Sequence, residues 1–137
     1  MDTEGEFRPE TAAEARARYE QLEQTAQVVV QEVTKAMEFD SEEYDRRVTD
    51  GVVETARDAL FASQLAVMIG TREEYEAWQA ETTHEVQEVG SEPVDNVVWH
   101  APPFADEAVA ATFQDERQAA VDVLRRQAFG RVYREVV

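Results

Sequence analysis

The stretch HEVQEVGSEPVDNVVWH, residues 84–100, decides the fold class, because its apolar residues do not recur at a helical period. Val86 and Val89 alternate with polar side chains, and Val94–His100 follows as a second apolar run. Between them, Gly90-Ser91-Glu92-Pro93 has the composition of a turn. We therefore predict an antiparallel β-hairpin that turns at residues 91–94.

A hairpin on its own is marginally stable in water, so this one must pack on helices or gain a third strand. The candidate third strand is Leu65–Ile69, a short apolar run that Gly70 terminates. Periodicity over five residues does not separate a buried strand from the last turn of a helix. Both alternatives stay open for this segment.

Upstream of this region the pattern is helical. Asp40 and Glu43 have capping-box spacing, which predicts the start of a second helix, and Thr49-Asp50-Gly51 predicts a break or kink in it. The first helix should end near Glu38, because the apolar residues before it recur at intervals of three and four. These residues are Tyr19, Leu22, Ala26, Val29, Val30, Val33 and Met37.

Two more helical regions are predicted. Thr71 and Glu74 form another capping-box pair and predict a short helix over Arg72–Ala80. After Pro102-Pro103, Asp106 can cap a final helical region. That region has a joint at Gln114-Asp115 and a buried stripe of Val121, Leu124, Ala128, Val132 and Val136.

The predicted fold is α+β and mostly helical, with about four to five helices and a small antiparallel hairpin or three-stranded sheet. Its length of 137 residues suits one domain. We place that domain at residues 11–137, behind a flexible arm at residues 1–10.

The composition predicts a protein of a salt-loving microbe. The formal net charge is −17, and Lys35 is the only lysine among thirteen cationic residues. Such a charge destabilises a compact chain through self-repulsion at low ionic strength. In molar salt the screening length falls to about 3 Å, and the repulsion fades.

The sequence also excludes several classes of site. It contains no cysteine, which rules out disulfides and thiolate metal ligands. No apolar run approaches the length of about 20 residues that a membrane span needs, so we expect no membrane partner and a cytoplasmic location. Phosphate-binding glycine loops and dinucleotide fingerprints are missing, and we predict no cofactor.

The two histidines, His84 and His100, are candidate metal ligands. In the predicted hairpin they lie near the open end of opposing strands, and a carboxylate such as Glu81 or Glu85 could complete a transition-metal site. The register that this requires is uncertain, because a slip of one residue turns a side chain to the other face. The alternative is one exposed histidine and one histidine packed beside Trp99.

The segment Trp99-His100-Ala101-Pro102-Pro103-Phe104 places two aromatic residues around a stiff diproline. It could form the apolar rim of a binding pocket or a contact for a peptide. It could equally be a rigid corner whose aromatic side chains fill the space between hairpin and helix, and we favour the corner.

The C-terminal segment 117–137 reverses the charge of the chain. It has five arginines against Asp122 and Glu135, a net charge of +3, whereas the first 116 residues carry −20. Arginines interleaved with aromatic residues suit an acidic partner helix or a phosphate backbone. Internal pairing with acidic neighbours is the competing explanation. The predicted partner-binding residues are Trp99, Phe104, Arg125, Arg126, Phe129, Arg131, Tyr133 and Arg134.

Four segments resemble an uncharacterised protein family of halophilic archaea. They are TARDALFAS at 55–63, GTREEY at 70–75, VWHAPPF at 98–104 and FQDER at 113–117. The resemblance extends over nearly the whole chain. It implies a salt-filled cytoplasm, and it implies no reaction and no functional residues.

These observations favour a non-enzymatic interaction or regulatory module that binds a protein partner or itself. One alternative is a small metal-dependent enzyme that uses His84 and His100. The other is a nucleic-acid-binding regulator that uses the arginine-rich C-terminal helix, which is less favoured because salt weakens phosphate contacts.

Overall fold

The structure is a computed structural model that describes residues 1–90 and 94–137. Five α-helices and five β-strands alternate irregularly along these residues. The helices are α1 Ala12–Ala36, α2 Ser41–Arg47, α3 Asp50–Gln64, α4 Arg72–Glu81 and α5 Arg117–Ala128, which continues as a π-helical turn over Phe129–Tyr133. The strands are β1 Asp2–Glu4, β2 Val67–Thr71, β3 Glu85–Val89, β4 Asn96–His100 and β5 Glu107–Phe113.

The strands form one mixed sheet in the order β1-β2-β4-β5-β3. The pairs β1–β2, β2–β4 and β4–β5 are antiparallel, and the β5–β3 pair is parallel. Residues 1–10, which we predicted to be a flexible arm, contribute the edge strand β1. Phe7 extends this contact, because its amide donates to the Gln64 carbonyl and its carbonyl accepts from the Ala66 amide.

The predicted hairpin is wrong, although both of its strands exist. Strands β3 and β4 do not pair, because β5 lies between them and pairs with each. The turn of this hairpin was predicted at residues 91–94, of which Ser91, Glu92 and Pro93 lie outside the described residues. The sheet has five strands, so the predicted hairpin or three-stranded sheet is corrected, while the α+β class is confirmed.

Strand β5 accounts for most of this error. We assigned Glu107–Phe113 to the start of the final helical region because Asp106 can cap a helix. In the structure residues 108–111 are buried, with β4 and β3 on the two sides of the strand. A strand that is covered on both faces is a continuous apolar run without alternation, and its sequence does not distinguish it from a buried helix.

The sheet separates two clusters of buried side chains. One face packs against α5 and contributes Ile69, Val98 and Val109 to the larger core, which side chains of α1 and α3 complete. The other face packs against α4, where Trp99 and Val97 meet Tyr75 in a smaller core. Alternating residues of β4 therefore lie in different cores, as expected for a strand whose successive side chains point to opposite faces.

The predicted starts of two helices are confirmed. The Asp40 side chain accepts from the Glu43 amide, and Thr71 and Glu74 form a complete capping box. The chain also breaks between α2 and α3, but the break lies at residues 48–49, and Asp50 and Gly51 are already the first residues of α3. Leu65–Ile69, which we left open, contains the start of β2, and this strand pairs with β4 as a third strand would.

Candidate functional site

Three regions carry the sequence-predicted residues or an unusual surface: a cavity at one end of the sheet, the C-terminal helix and a groove between two helices. The cavity has a volume of about 320 Å³ and lies where β2 begins and β4 ends. Both histidines line it, although they are not cross-strand neighbours. Its other lining residues are Thr3, Arg8, Ala66, Met68, Trp78, Trp99, Ala101 and Pro103.

His100 is buried, and both of its ring nitrogens are hydrogen-bonded. Nδ1 lies 2.6 Å from the carbonyl oxygen of Ala66, and Nε2 lies 2.7 Å from the hydroxyl of Tyr133. A carbonyl only accepts, so we assign the ring proton to Nδ1, and the Tyr133 hydroxyl donates to Nε2. Burial lowers the pKa of His100 to about 4, which leaves the imidazole neutral at neutral pH.

Tyr133 is not activated by this contact. Its ring is completely buried in the larger core, and burial raises the pKa of its hydroxyl far above the ordinary value. A catalytic acid or base works best with a pKa near the operating pH. The pair therefore links β4 to the C-terminal π-helical turn and is not poised for proton transfer.

His84 is half-buried at the mouth of the same cavity. Its Nε2 donates to the Pro102 carbonyl oxygen at 2.9 Å, and its Nδ1 lies 2.9 Å from the Thr82 hydroxyl. A metal ion needs a free lone pair on each ligating imidazole, and both histidines use theirs to accept from a hydroxyl. Within residues 1–90 and 94–137, no group of three or more metal-ligating side chains occurs. The metal site at His84 and His100 stays a prediction. The described residues offer no third side chain that would complete it.

The Trp99–Phe104 segment has the character of a corner. Trp99 is fully buried, its ring centroid 5.3 Å from that of Tyr75 and 5.5 Å from that of Trp78. Phe104 lies on the other face of the sheet, 5.8 Å from the Tyr133 ring. Trp99 and Phe104 thus pack into the two cores, one on each face of the sheet, and expose little surface that a peptide could contact.

The arginines of the C-terminal helix contact this chain's own groups. Arg125 donates to the Leu65 carbonyl at 3.0 Å, and Arg131 lies 3.7 Å from the Glu107 carboxylate. Arg126 donates to the Asp122 carbonyl, and the Arg134 guanidinium lies over the Phe129 ring. Phe129 and Tyr133, which we predicted to meet a partner, are buried in the larger core. The arrangement agrees with internal pairing better than with a nucleic-acid interface.

A groove between α1 and α3 is the feature that sequence reasoning missed. Its volume is about 450 Å³, and of the twelve residues that line it only Arg47 is charged. Val29, Val33, Met37 and Val52 contribute 37%, 53%, 58% and 42% of their surfaces to solvent. The complete lining is Val29, Val30, Val33, Thr34, Met37, Phe39, Arg47, Val48, Val52, Thr55, Ala56 and Ala59.

The sequence contained a signal for this groove. The apolar stripe that predicted the first helix contains two parallel rows with four-residue spacing. Leu22, Ala26 and Val30 face α3 and are buried, whereas Val29 and Val33 belong to the second row and are exposed. A stripe of this width needs more than one neighbouring helix to cover it.

No helix in the described part of the chain is both long enough and apolar enough to cross a membrane. Neither a curated protein nor a solved structure matches the chain. The expected resemblance to an uncharacterised family is confirmed to the extent that a family of unknown function matches, and the halophilic origin stays a prediction. With its model matched over residues 6–134, the chain belongs to the family of unknown function DUF5809.

Proposed function

We propose that the protein is a non-enzymatic, salt-adapted interaction module that self-associates through the α1–α3 groove. The observation that carries this proposal is the groove itself, a surface with one charged lining residue on a chain in which 31% of residues are charged. Contiguous exposed apolar surface of this kind marks interaction sites. The occupant that we infer is the same groove of a second copy.

A second copy offers both halves of the contact. Thr25, Val29, Val33 and Met37 form a row along α1 with four-residue spacing and no charge. Helices pack when such a row of one helix enters the groove of another. The row borders the groove, so a two-fold axis would place the row of each copy in the groove of the other. Such an interface is self-complementary, as a two-fold dimer requires.

The one cation of the groove does not oppose this contact. Arg47 lies 3.6 Å from the Glu43 carboxylate and over the ring of Phe39 at 5.5 Å from its centroid. Its charge therefore has a partner within the same chain. Apart from Arg47, the groove is lined by valines and alanines, one methionine, one phenylalanine and two threonines.

Salt decides whether the contact forms. Two copies that each carry −17 repel one another in dilute buffer, and molar salt screens that repulsion to about 3 Å. Salts that are excluded from the protein surface also strengthen the association of apolar groups. The row from Val29 to Met37 spans only about 12 Å of helix, so the interface is small and the dimer should be reversible. Both effects predict a dimer that forms in molar KCl and dissociates in dilute buffer.

The test compares two exposed valines of α1 that are five residues apart. Val33→Asp places a charge in the groove, whereas Val28→Asp places the same charge on an exposed valine outside it. Light scattering after size exclusion in molar KCl measures the mass of each variant. We expect the wild type and Val28→Asp to approach twice the chain mass of 15.6 kDa, and Val33→Asp to elute as a monomer.

A wild-type protein that stays at 15.6 kDa at every concentration in molar KCl contradicts the proposal. So does a dimer that Val28→Asp disrupts as strongly as Val33→Asp, because the contact would then lie elsewhere on α1. Circular dichroism of the variants checks that both keep their helices.

The salt adaptation has a separate test. Moving the wild-type protein from molar KCl to dilute buffer should lower its unfolding temperature markedly, because the carboxylates regain their mutual repulsion. Val33→Asp, which stays a monomer in both buffers, should also show a decrease, and this decrease reports the effect of salt on folding without association. An unfolding temperature that does not respond to KCl would contradict the adaptation.

A further inference from the structure

We propose that the cavity at the end of the sheet, lined by Arg8, Trp78, Trp99 and the two histidines, binds a small carboxylate with an aromatic or other apolar body. The inference goes beyond self-association and does not depend on it, because the cavity and the groove share no residue.

The charge of the cavity is opposite to that of the chain. Asp and Glu supply 30 of the 137 residues, but none of the ten described residues that line the cavity is acidic. The lining includes one guanidinium, from Arg8, and two imidazoles, of which that of His100 is neutral at neutral pH. The Arg8 guanidinium therefore attracts an anionic ligand here, and no carboxylate of the described lining opposes it.

Arg8 is the group that would bind the carboxylate. Among the described residues, no carboxylate lies within ion-pair distance of its guanidinium. Most other arginines contact a carboxylate, a carbonyl or an aromatic ring of the same chain; for example, Arg72 lies 3.0 Å from Glu88. A guanidinium presents paired donors that match the geometry of a carboxylate. Arg8 retains these donors for a ligand.

The apolar walls of the cavity determine which kind of ligand fits beside Arg8. Trp78 and Trp99 lie with ring centroids 5.5 Å apart and an interplanar angle of 33°, and Met68 and Pro103 extend the apolar surface. Apolar walls with a few polar groups are typical of small-molecule sites. The volume of about 320 Å³ is at the low end for such sites, so it suits a ligand of one or two rings.

The two tryptophans make the cavity directly observable. Trp78 and Trp99 are the only tryptophans of the chain, and both line the cavity. Emission excited at the red edge of tryptophan absorption therefore reports on this site alone. Phenylacetate is a suitable probe, because it combines one ring with one carboxylate and does not absorb at that wavelength.

The experiment titrates the protein with phenylacetate at constant molar KCl and follows tryptophan emission. We expect a saturable change, a weaker response to phenylacetamide, which lacks the charge, and a weaker response to acetate, which lacks the ring. Arg8→Gln should raise the dissociation constant of phenylacetate about tenfold, as expected for the loss of one charged contact. Arg46→Gln is the matched control, because it removes an exposed arginine that does not line the cavity.

Several results would overturn the inference. A linear, non-saturating response to phenylacetate means that the cavity does not bind it. Equal affinity for phenylacetate and phenylacetamide removes the role of the charge. A dissociation constant that Arg8→Gln leaves unchanged, or that Arg46→Gln raises as much, removes Arg8 from the site.

Discussion

The two halves of α1 differ in what surrounds them. In the first half, the Tyr19 ring packs on Phe61 and Phe129, with centroids 5.9 and 6.4 Å apart, and Arg16 donates to the Val136 carbonyl. In the second half, Ala26, Val30 and Thr34 are buried, whereas Val29, Val33 and Met37 are exposed. The apolar stripe therefore runs along the whole helix. The C-terminal region of the chain covers one side of it in the first half, and the second half leaves a side uncovered.

The difference teaches that an amphipathic stripe reports how much apolar surface a helix has, and not how much of it the same chain covers. Helix α3 accompanies α1 along both halves. The π-helical turn adds a second neighbour only at the first half, where Phe129 reaches Tyr19. The second half keeps the same kind of sequence without that neighbour. We attribute the remaining apolar surface to contact with a second copy.

The largest expected effect lies in the enclosed half. Phe61 is fully buried, and four aromatic rings lie within 6 Å of its centroid, those of Phe7, Tyr19, Phe129 and Tyr133. Phe61→Ala should lower the free energy of unfolding by about 3–5 kcal/mol. Urea unfolding of wild type and variant in molar KCl measures the difference. A loss below about 1 kcal/mol would mean that this half is not enclosed.

A smaller effect should appear on acidification, where His100 joins the sheet to the enclosed half. Its folded-state pKa of about 4 lies below the ordinary value of 6.5, so the unfolded chain binds more protons between these values. The neutral imidazole therefore stabilises the fold above pH 6.5, and this contribution is lost as the pH falls towards 4. The loss is on the order of 3 kcal/mol.

The control for this pH dependence is His100→Asn, whose amide can still donate to the Ala66 carbonyl but does not titrate. The slope of unfolding free energy against pH between 6.5 and 4 should be shallower in the variant than in the wild type. Equal slopes would mean that His100 titrates alike in the folded and unfolded chain, which its burial does not allow.

The smallest effect should belong to the exposed half. Val33→Ala removes methyl groups that are 53% exposed in the single chain, so it should change the unfolding free energy by about 0.5 kcal/mol or less. The measurement uses dilute protein, where association does not contribute. A loss comparable to that of Phe61→Ala would show that the groove is covered within one chain.

The helices were predictable because their signals are local. Asp40 and Thr71 each accept a hydrogen bond from a backbone amide three residues further on, and each caps the helix that the sequence predicted there. The sheet was not predictable, because its order depends on partners that are distant in sequence. Strand β3 pairs with β5 across more than twenty residues, and nothing in Glu85–Val89 identifies that partner.

The candidate sites, like the fold, were predictable only in part. One of the two alternatives drawn from the sequence placed His84 near His100 across a hairpin, and both residues line one cavity although their strands are not neighbours. It did not reveal that Arg8 would line the same cavity, because that requires the edge strand β1 to fold onto β2. The basic C-terminal segment suggested a partner, but its arginines contact groups of the same chain, such as Leu65 and Glu107.

The central claim is that the exposed row of α1 contacts the groove of a second copy. A mixture of ¹³C-labelled and unlabelled protein in molar KCl tests it, because isotope-filtered NOE spectra show only contacts between copies. We expect intermolecular NOEs from the methyl groups of Val29, Val33 and Met37 to those of Val52 and Ala56. A spectrum without intermolecular NOEs to these residues, or with NOEs only to another face of the molecule, would contradict the account.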